Sequence, residues 1–215
     1  MIGEFIVVVG VAYLLGSIPF GLIIGKLKKG IDIREQGSGR TGATNLMRVA
    51  GTKLGILTIV LDVAKAAGAV MLATAIVSRD SGVLTLSGVS VYWQHVAQVA
   101  AGLAAVAGHN WPVFARFKGG RGVTAYFGTV FAIFPPAGIF GAEVLAIAAL
   151  RSRHMSLGSL LGALATWCLM LPLTIVSNLV PPIYLVYGSV VVALIVYQHR
   201  DNIKRLRQGT ERRLW

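Results

Sequence analysis

The residues in this sequence that could do chemistry are concentrated in four short segments, in which glycine, hydroxyl and amide side chains stand beside arginine or lysine. The first segment, residues 32–48, reads DIREQGSGRTGATNLMR. Its glycines allow close backbone approach, so successive amides can point into one concavity and bind a phosphate with help from Ser38, Thr41 and Thr44. The segment lacks the Gly-Lys-Ser/Thr ending of a Walker loop and the preceding strand of a dinucleotide fingerprint. Its composition supports a phosphate site and a flexible loop equally.

The second segment, residues 108–122, reads GHNWPVFARFKGGRG and places Gly119 and Gly120 between Lys118 and Arg121. Backbone amides at the start of a helix, together with an adjacent arginine, make a ready anion site. The alternative is structural, because basic residues beside a membrane span and aromatic residues at its interface are expected on topological grounds alone.

Two further segments lie towards the C-terminus. Residues 151–159, RSRHMSLGS, place Ser156 where it could cap the following helix and Ser159 one turn later. Residues 199–215 begin with His199 and Asn202, whose i, i+3 spacing would present both on one face of a helix. The histidine could be catalytic or an ordinary interfacial residue, and the basic residues that follow could simply bind anionic headgroups.

Metal ligands are not evident in the sequence. Cys168 is the single cysteine, which excludes an intramolecular disulfide and a thiolate metal cluster, and the four histidines lie far apart along the chain. We expect Cys168 to be a small core residue, and we expect neither a metal nor a cofactor.

The elements that position these segments are predicted to be helices in a membrane. Hydrophobic residues make up 55% of the 215 residues and charged residues only 13%, with a mean hydropathy of +0.74, which excludes a disordered chain and an ordinary soluble domain. The formal charge of +12 favours contact with anionic lipid or an anionic substrate. We predict one all-α integral membrane domain over residues 1–215, without a cleaved signal peptide and without a nucleic-acid partner.

Seven membrane spans are predicted from the apolar runs, because crossing the hydrocarbon of a bilayer takes about 20 apolar residues. Five runs are long enough, and they cover roughly residues 5–25, 54–77, 84–108, 156–176 and 182–198. Residues 122–150 could instead form one long kinked helix or two short ones that meet at Pro135-Pro136.

The distribution of the basic residues favours two short helices over one long kinked helix. With the N-terminus outside and the C-terminus in the cytoplasm, this hairpin leaves 18 of the 20 lysines and arginines on the cytoplasmic side, with Arg79 outside and Lys65 within a span. A single kinked helix would send Arg151, Arg153 and the basic tail across the membrane. Spans four and five are therefore predicted to be short, and all four polar segments are predicted to face the cytoplasm.

Three charged residues lie within the predicted spans, where charge is costly and must be explained. Asp62 and Lys65 lie at i, i+3 and can neutralise each other, so we predict a structural ion pair. Glu143, in the fifth span, has no partner nearby in the sequence.

The order and spacing of these motifs strongly resemble those of the bacterial acyl-phosphate-dependent glycerol-3-phosphate acyltransferases over the whole chain. The resemblance rests on SIPFG at 17–21, the segments 32–48 and 108–122, SLGS at 156–159 and HRDNIKRLRQGTE at 199–211. It implies an inner-membrane enzyme with seven spans that transfers a fatty acyl group from acyl phosphate to the 1-hydroxyl of sn-glycerol 3-phosphate. The products would be lysophosphatidic acid and phosphate, in phospholipid synthesis. The partners would be these two substrates and membrane lipid, with the active site facing the cytoplasm.

Carried over motif by motif, the resemblance also implies two sets of site residues. The catalytic residues would be Ser38, Arg48, Arg121, Ser159, His199 and Asn202. The phosphate-binding residues would be Gly37, Ser38, Gly39, Arg40, Thr41, Asn45, Arg48, Lys118, Gly119, Gly120, Arg121 and Gly122.

Two of these positions depart from the pattern of the family that the sequence resembles. Arg40 stands where the family has the asparagine of Gly-Ser-Gly-Asn, and Arg121 stands where it has the lysine of Gly-Gly-Lys-Gly. Arg121 keeps the charge and can bind phosphate bidentately, whereas Arg40 is either an additional anchor or a sign of a divergent substrate.

The predicted chemistry needs little more than basic and amide donors, because acyl phosphate is an activated anhydride whose leaving group is a phosphate. We expect direct attack of the hydroxyl without an acyl-enzyme, because Cys168 lies in a predicted span away from any basic partner and neither Ser38 nor Ser159 has a histidine and a carboxylate nearby in the sequence. The His-x-x-x-x-Asp pair of thioester-dependent acyltransferases is absent, since the residues five positions after the histidines are Ala100, Phe114, Ser159 and Lys204.

Two other classes of protein would share some of these features. A transporter for an anionic solute would also combine many spans with inward-facing basic loops, but polar residues would line both halves of its membrane region. A lipid-binding scaffold is the third possibility.

Overall fold

The structure, a computed structural model, describes residues 2–78, 82–86 and 89–214. The predicted outer residues Arg79 and Asp80 lie outside these described residues. Within them the chain forms ten α-helices, a 3₁₀ turn at Val113–Ala115 and two β-strands. In chain order the elements are α1 (Ile2–Ser17), α2 (Phe20–Lys29), α3 (Ala43–Ala50), α4 (Thr52–Ile76), β1 (Val83–Leu86), β2 (Val89–Tyr92), α5 (Trp93–Asn110), α6 (Val123–Ile133), α7 (Pro135–Ser152), α8 (Met155–Ile175), α9 (Pro182–Gln198) and α10 (Arg200–Arg207).

Three helical stretches in the described part of the chain are long and apolar enough to cross a membrane. They are Ile2–Lys29, which contains α1 and α2, and the helices Thr52–Ile76 and Met155–Ile175. Helices α9 and α10 would together add a fourth, but the pair is bent by 60°. Helix α6 is apolar but has only 11 residues, which is about 16 Å at 1.5 Å per residue. The chain is therefore a helical membrane protein, and the count of seven spans stays a prediction.

The chain is mostly helical, as predicted, but the predicted third span over residues 84–108 is wrong in its first part, which is not helical. Val83–Leu86 and Val89–Tyr92 pair as an antiparallel hairpin, with Val83 opposite Tyr92. Helix α5 begins only at Trp93. The sequences VLTL and VSVY are rich in valine, threonine and tyrosine, and β-branched and aromatic residues of this kind favour strands over a helix.

The predicted break in residues 122–150 lies where expected, but the two arms are unequal. Helix α6 ends at Ile133, and α7 begins at Pro135. Proline fits at this position because the N–H groups in the first turn of a helix have no intrahelical acceptor, so the missing N–H of proline costs no hydrogen bond. Helix α7 has 18 residues and is about 27 Å long. Helix α6 is short, as predicted, whereas α7 is longer than predicted, and that either helix spans the membrane stays a prediction.

Glycines allow neighbouring helices to pack backbone to backbone around the site. A Cβ at Gly158 of α8 would lie 2.6 Å from the carbonyl oxygen of Leu145 in α7. A Cβ at Gly162 would lie 2.6 Å from the carbonyl oxygen of Gly141. Contacts this close are open only to glycine, and they hold α7 against α8 at one wall of the cavity described below.

The charged residues inside the helices have different surroundings. Lys65 Nζ lies 2.8 Å from Asp62 Oδ1, which confirms the predicted ion pair. The same ammonium group donates to the carbonyl oxygen of Ile18 at 2.6 Å, at the break between α1 and α2. Glu143 is exposed on α7, and nothing in the structure explains it. Cys168 is exposed on α8, so the prediction that it is a core residue is wrong.

Candidate active site

A cavity of about 250 Å³ lies where α3, α4, α6, α7 and α8 meet the loops and α10. With the exception of Thr124 in α6, the polar side chains that line it, together with Gly120, come from the four segments singled out in the sequence. They are Ser38, Arg40, Thr44, Asn45, Arg48, His109, Gly120, Arg121, Ser156, Ser159, His199, Asn202 and Glu211.

Asn45 organises the first loop instead of facing a ligand. Its side-chain oxygen accepts the backbone N–H of Ser38 at 2.8 Å. Its amide nitrogen donates to the carbonyl oxygens of Ile33 at 2.8 Å, Arg40 at 2.9 Å and Gln36 at 3.1 Å. Because these bonds use both ends of a buried amide, Asn45 sets the loop conformation, and the predicted direct contact of Asn45 with phosphate is not supported.

Arg34 is fixed by an ion pair within the first loop and joins that loop to the second by a hydrogen bond. Arg34 Nη2 lies 2.6 Å from Asp32 Oδ2, and Arg34 Nη1 donates to the carbonyl oxygen of Ala115 at 3.3 Å. The hydrogen bond from Arg34 lowers the pKa of Asp32 to about 2, so the carboxylate is ionised at any physiological pH. The two loops are therefore held together before any substrate binds.

The paired glycines of the second loop lie against the end of α5. The backbone N–H of Gly120 donates to the carbonyl oxygen of His109 at 3.0 Å. A Cβ at Gly119 would collide with the carbonyl oxygen of His109, and a Cβ at Gly120 would collide with Nε2 of the same histidine. Only glycine permits this approach, which fixes the position of Arg121 directly after the turn.

Arg48 and Arg121 bring positive charge to the cavity, and among the described residues neither forms an ion pair, although Arg48 Nη2 donates to the carbonyl oxygen of Arg212 at 3.4 Å. The Nε atom of each guanidinium is buried and makes no hydrogen bond. Burial, followed by the charge of the neighbouring Arg40, lowers the pKa of Arg121 to about 10, and burial also lowers the pKa of Arg48. Both groups stay protonated at neutral pH. Because a buried donor without a partner is costly, these two arginines indicate an anionic ligand.

His199 is held as a neutral hydrogen-bond acceptor. Its Nδ1 lies 2.8 Å from the carbonyl oxygen of Ile195, and since a carbonyl only accepts, Nδ1 must carry the proton. Burial, with the charge of Arg121 acting in the same direction, lowers the pKa of His199 to about 4. Nε2 is thus left with a free lone pair on a residue that lines the cavity.

Glu211 is a site residue that the sequence did not reveal. Its carboxylate accepts hydrogen bonds from Asn202 Nδ2 at 2.6 Å, Arg205 Nε at 2.7 Å and Ser156 Oγ at 2.8 Å. Burial alone would raise the pKa of Glu211, but these three donors outweigh it and hold the pKa below its ordinary value. Ser156 is therefore not the predicted helix cap, because its hydroxyl bonds to the tail.

The predicted site residues divide into those that line the cavity and those that shape or lie outside it. The cavity is lined by Ser38, Arg40, Asn45, Arg48, Gly120, Arg121, Ser159, His199 and Asn202. The predicted residues that do not line it are Gly37, Gly39, Thr41, Lys118, Gly119 and Gly122. Lys118 is exposed, so the structure gives no support to its predicted contact with phosphate. His109 lines the cavity and was not predicted.

The remaining walls of the cavity are apolar and follow the membrane helices. Ile59 and Val63 come from α4, and Phe127 and Phe131 come from α6. Leu145 contributes from α7. Each pair is spaced by one helical turn, so these walls extend away from the cationic loops along the helices. The cavity suits a ligand with an anionic head and an apolar chain.

The fold is helical and membrane-embedded, and its cavity has a cationic end and apolar walls. These features define a class of protein that acts on amphipathic anions. Comparison with known proteins gives the family. A family profile described as glycerol-3-phosphate acyltransferase matches residues 6–209. "Glycerol-3-phosphate acyltransferase 3" of Dehalococcoides mccartyi (strain ATCC BAA-2266 / KCTC 15142 / 195) is 48% identical over 214 residues, covering 100% of this chain and 97% of the relative. The glycerol-3-phosphate acyltransferase of Aquifex aeolicus is 39% identical over 203 residues, covering 94% of this chain and 95% of that relative.

Solved structures agree with the sequence relatives. The crystal structure of PlsY (YgiH), an integral membrane glycerol 3-phosphate acyltransferase, in its glycerol 3-phosphate form superposes with a TM-score of 0.81 at 38% identity. That comparison covers 98% of this chain and 96% of the PlsY chain. The lysophosphatidic acid form gives a TM-score of 0.80. The chain belongs to the glycerol-3-phosphate acyltransferase family and is an integral membrane enzyme.

Proposed function

We propose that this enzyme uses acyl phosphate as its donor and transfers the acyl group to the 1-hydroxyl of sn-glycerol 3-phosphate, giving lysophosphatidic acid and inorganic phosphate. The observation that carries the proposal is the pair of buried, unpartnered Nε atoms of Arg48 and Arg121 at one end of a cavity with apolar walls. Phosphate groups supply the acceptors that these donors lack, and the walls of α4, α6 and α7 suit an acyl chain.

The transfer that this site supports is a direct one. The hydroxyl oxygen of glycerol 3-phosphate forms the new bond to the acyl carbon, and the bond between that carbon and the phosphate oxygen breaks. The electron pair of the broken bond leaves with the phosphate, which also receives the proton lost by the hydroxyl. His199 Nε2 accepts a hydrogen bond from the attacking hydroxyl, but with a pKa of about 4 it is a poor carrier for the proton.

Three observations support direct transfer over an acyl-enzyme. Ser159 Oγ donates to the carbonyl oxygen of Met155, which cannot take its proton. Ser156 Oγ donates to Glu211, whose hydrogen bonds lower its pKa and make it a weak base, so neither hydroxyl is activated. Within the described residues, no hydrogen bond joins His199 to a serine. Cys168 is exposed on α8 and does not line the cavity.

A comparison of donors tests the proposed function. Purified protein would be given labelled glycerol 3-phosphate with palmitoyl phosphate, palmitoyl-CoA or palmitoyl-acyl carrier protein in parallel. We expect lysophosphatidic acid and stoichiometric phosphate release with palmitoyl phosphate alone. Robust turnover with either thioester would contradict the proposed donor while leaving the family membership intact.

We also propose the seven-span topology in the inner membrane, with the N-terminus outside and the active site facing the cytoplasm. Its support is the one-sided distribution of 18 of the 20 lysines and arginines. Single cysteines introduced at positions 136 and 210 in a Cys168→Ala background would test it in intact and permeabilised cells. Labelling of position 136 from outside and of position 210 only after permeabilisation is expected, and the reverse pattern would exclude the topology.

A further inference from the structure

Helix α10 carries side chains of different function on its two faces. It leaves α9 at a bend of 60° next to His199. Asn202 and Arg205 lie on its inner face, where both bond to Glu211. Arg200, Lys204 and Arg207 are spaced i, i+4 and i+7, which places them together on the opposite face. One face of α10 therefore belongs to the active site. The three basic residues of the opposite face, Arg200, Lys204 and Arg207, form a cationic stripe that takes no part in that site.

The cationic stripe borders an open groove of about 480 Å³ at the junction of α9 and α10. Arg200, Lys204 and Arg207 line one part of the groove, Val196, Tyr197 and Ile203 line another, and Gln208 completes the lining. Tyr197 is 59% exposed and Val196 is 45% exposed. The groove thus combines positive charge with apolar surface at the end of a helix predicted to span the membrane.

Contacts within the protein orient the stripe without neutralising it. The Arg200 guanidinium lies 4.6 Å from the centre of the Tyr197 ring, and its Nη1 donates to the Tyr197 carbonyl oxygen at 3.2 Å. None of the ion pairs found among the described residues involves Arg200, Lys204 or Arg207. No aspartate or glutamate lines the groove. Three cations on one helix face therefore have no acidic partner there.

We propose that this groove binds the headgroup of one anionic phospholipid of the surrounding bilayer, with the phosphate on Arg200, Lys204 and Arg207 and the start of an acyl chain along Val196 and Tyr197. Charge complementarity supports an anionic ligand. The exposed apolar side chains immediately beside the cations favour a lipid over an acidic peptide or free phosphate. Because the groove and the catalytic cavity lie on opposite faces of α10, the lipid occupies a site separate from that of the substrates.

Retention of lipid by the purified protein tests this proposal independently of enzyme activity. Intact protein in detergent would be titrated with phosphatidylglycerol or phosphatidylcholine, and bound lipid counted by native mass spectrometry. We expect one retained phosphatidylglycerol in preference to phosphatidylcholine. In Arg200→Gln/Lys204→Gln/Arg207→Gln, that preference should be lost, at about fivefold in affinity per removed cation, which corresponds to about 1 kcal/mol each.

A matched control removes the same charge elsewhere. Lys28, Lys29 and Lys53 are exposed and do not line either the cavity or the groove. The triple variant Lys28→Gln/Lys29→Gln/Lys53→Gln should keep the wild-type preference for phosphatidylglycerol. The single variant Lys204→Gln, which changes an exposed side chain, provides the graded test should the groove triple variant fold poorly.

Three results would overturn the proposal. The first is wild-type retention of phosphatidylglycerol by the groove triple variant or by Lys204→Gln. The second is equal retention of phosphatidylcholine by the wild-type protein. The third is displacement of the lipid by free phosphate or by a polyglutamate peptide at concentrations similar to that of the lipid, which would identify a different ligand.

Discussion

The side-chain amide of Asn202 donates a hydrogen bond of 2.6 Å to the carboxylate of Glu211, and this bond ties helix α10 to the C-terminal tail. Because the same carboxylate oxygen accepts from Ser156 at the start of α8, three parts of the chain meet at one buried acid. The tail is held further by the hydrogen bond from Leu214 N–H to the carbonyl oxygen of Arg153 at 2.8 Å. Glu211 therefore positions Asn202 in the active site.

Replacing Glu211 with glutamine should impair both folding and catalysis. Glutamine keeps the size of the side chain but loses the negative charge that Asn202 and Arg205 share, and hydrogen bonds to a charged group are worth about 1.5–3 kcal/mol. We expect Glu211→Gln to lower kcat/KM at least tenfold and to lower the thermal unfolding midpoint in detergent. Asp201→Asn, which changes an exposed acid on the same helix, should alter neither, and equal effects of the two variants would contradict the role of Glu211.

Removing the guanidinium of Arg121 should abolish most activity, because its buried Nε is predicted to bind a substrate phosphate. We expect Arg121→Ala to reduce kcat/KM about 100-fold, or about 3 kcal/mol of transition-state stabilisation. Arg121→Lys keeps the charge and should lose only about tenfold. Lys118→Ala, three positions earlier and exposed, should stay within about twofold of wild type in the same steady-state assay. A larger loss for Lys118→Ala than for Arg121→Ala would reverse the assignment.

The first loop should lose its shape when Asn45 is truncated. Asn45→Ala removes the bonds to Ser38, Ile33, Gln36 and Arg40, so we expect a rise in KM for glycerol 3-phosphate of at least tenfold. The control is Gln36→Ala, since Gln36 contributes only its backbone carbonyl to the loop and its side chain is exposed. Steady-state kinetics with varied glycerol 3-phosphate would separate the two, and wild-type kinetics for Asn45→Ala would refute the assigned role.

The buried His199 makes stability depend on pH in a defined direction. Its pKa falls from 6.5 to about 4 on folding, so the unfolded chain binds a proton more readily than the folded one between these values. The stability that His199 contributes by staying neutral is therefore fully present above about pH 6.5, and on the order of 3 kcal/mol of it is lost as the pH falls to about 4. As the pH is lowered across this range, the midpoint of thermal unfolding should fall in the wild-type protein. The fall should be smaller in His199→Asn. His154→Asn should retain the wild-type drop, and an identical pH dependence for His199→Asn would contradict the assignment.

The sequence was sufficient to identify the polar segments because their chemistry is local. Glycines beside arginines and hydroxyls define the loops before any fold is known, and i, i+3 spacing was enough to pair Asp62 with Lys65. The β-hairpin was missed because VLTL and VSVY read as the start of an apolar run when hydropathy alone is averaged.

Other errors came from contacts that no local pattern encodes. Glu211 looks like a single acid in a basic tail, and only the fold brings it within 2.8 Å of Ser156, which is 55 residues earlier. Because the Ser156 hydroxyl donates to Glu211, it does not cap helix α8 as predicted. The exposure of Cys168 depends on which side of α8 faces its neighbours, and a helix that is apolar on all sides gives no sign of this in its sequence.

The most direct test of the central claim, that one cavity passes the acyl group straight from acyl phosphate to glycerol 3-phosphate, is a search for a covalent intermediate. The purified enzyme would be mixed with labelled palmitoyl phosphate without glycerol 3-phosphate, quenched, and analysed by intact-protein and peptide mass spectrometry. Glycerol 3-phosphate would then be added to a parallel sample. We predict no acylated enzyme before the addition and a burst of labelled lysophosphatidic acid after it. A stoichiometric acyl adduct on Ser38, Ser159 or Cys168 that is chased into product by glycerol 3-phosphate would contradict direct transfer.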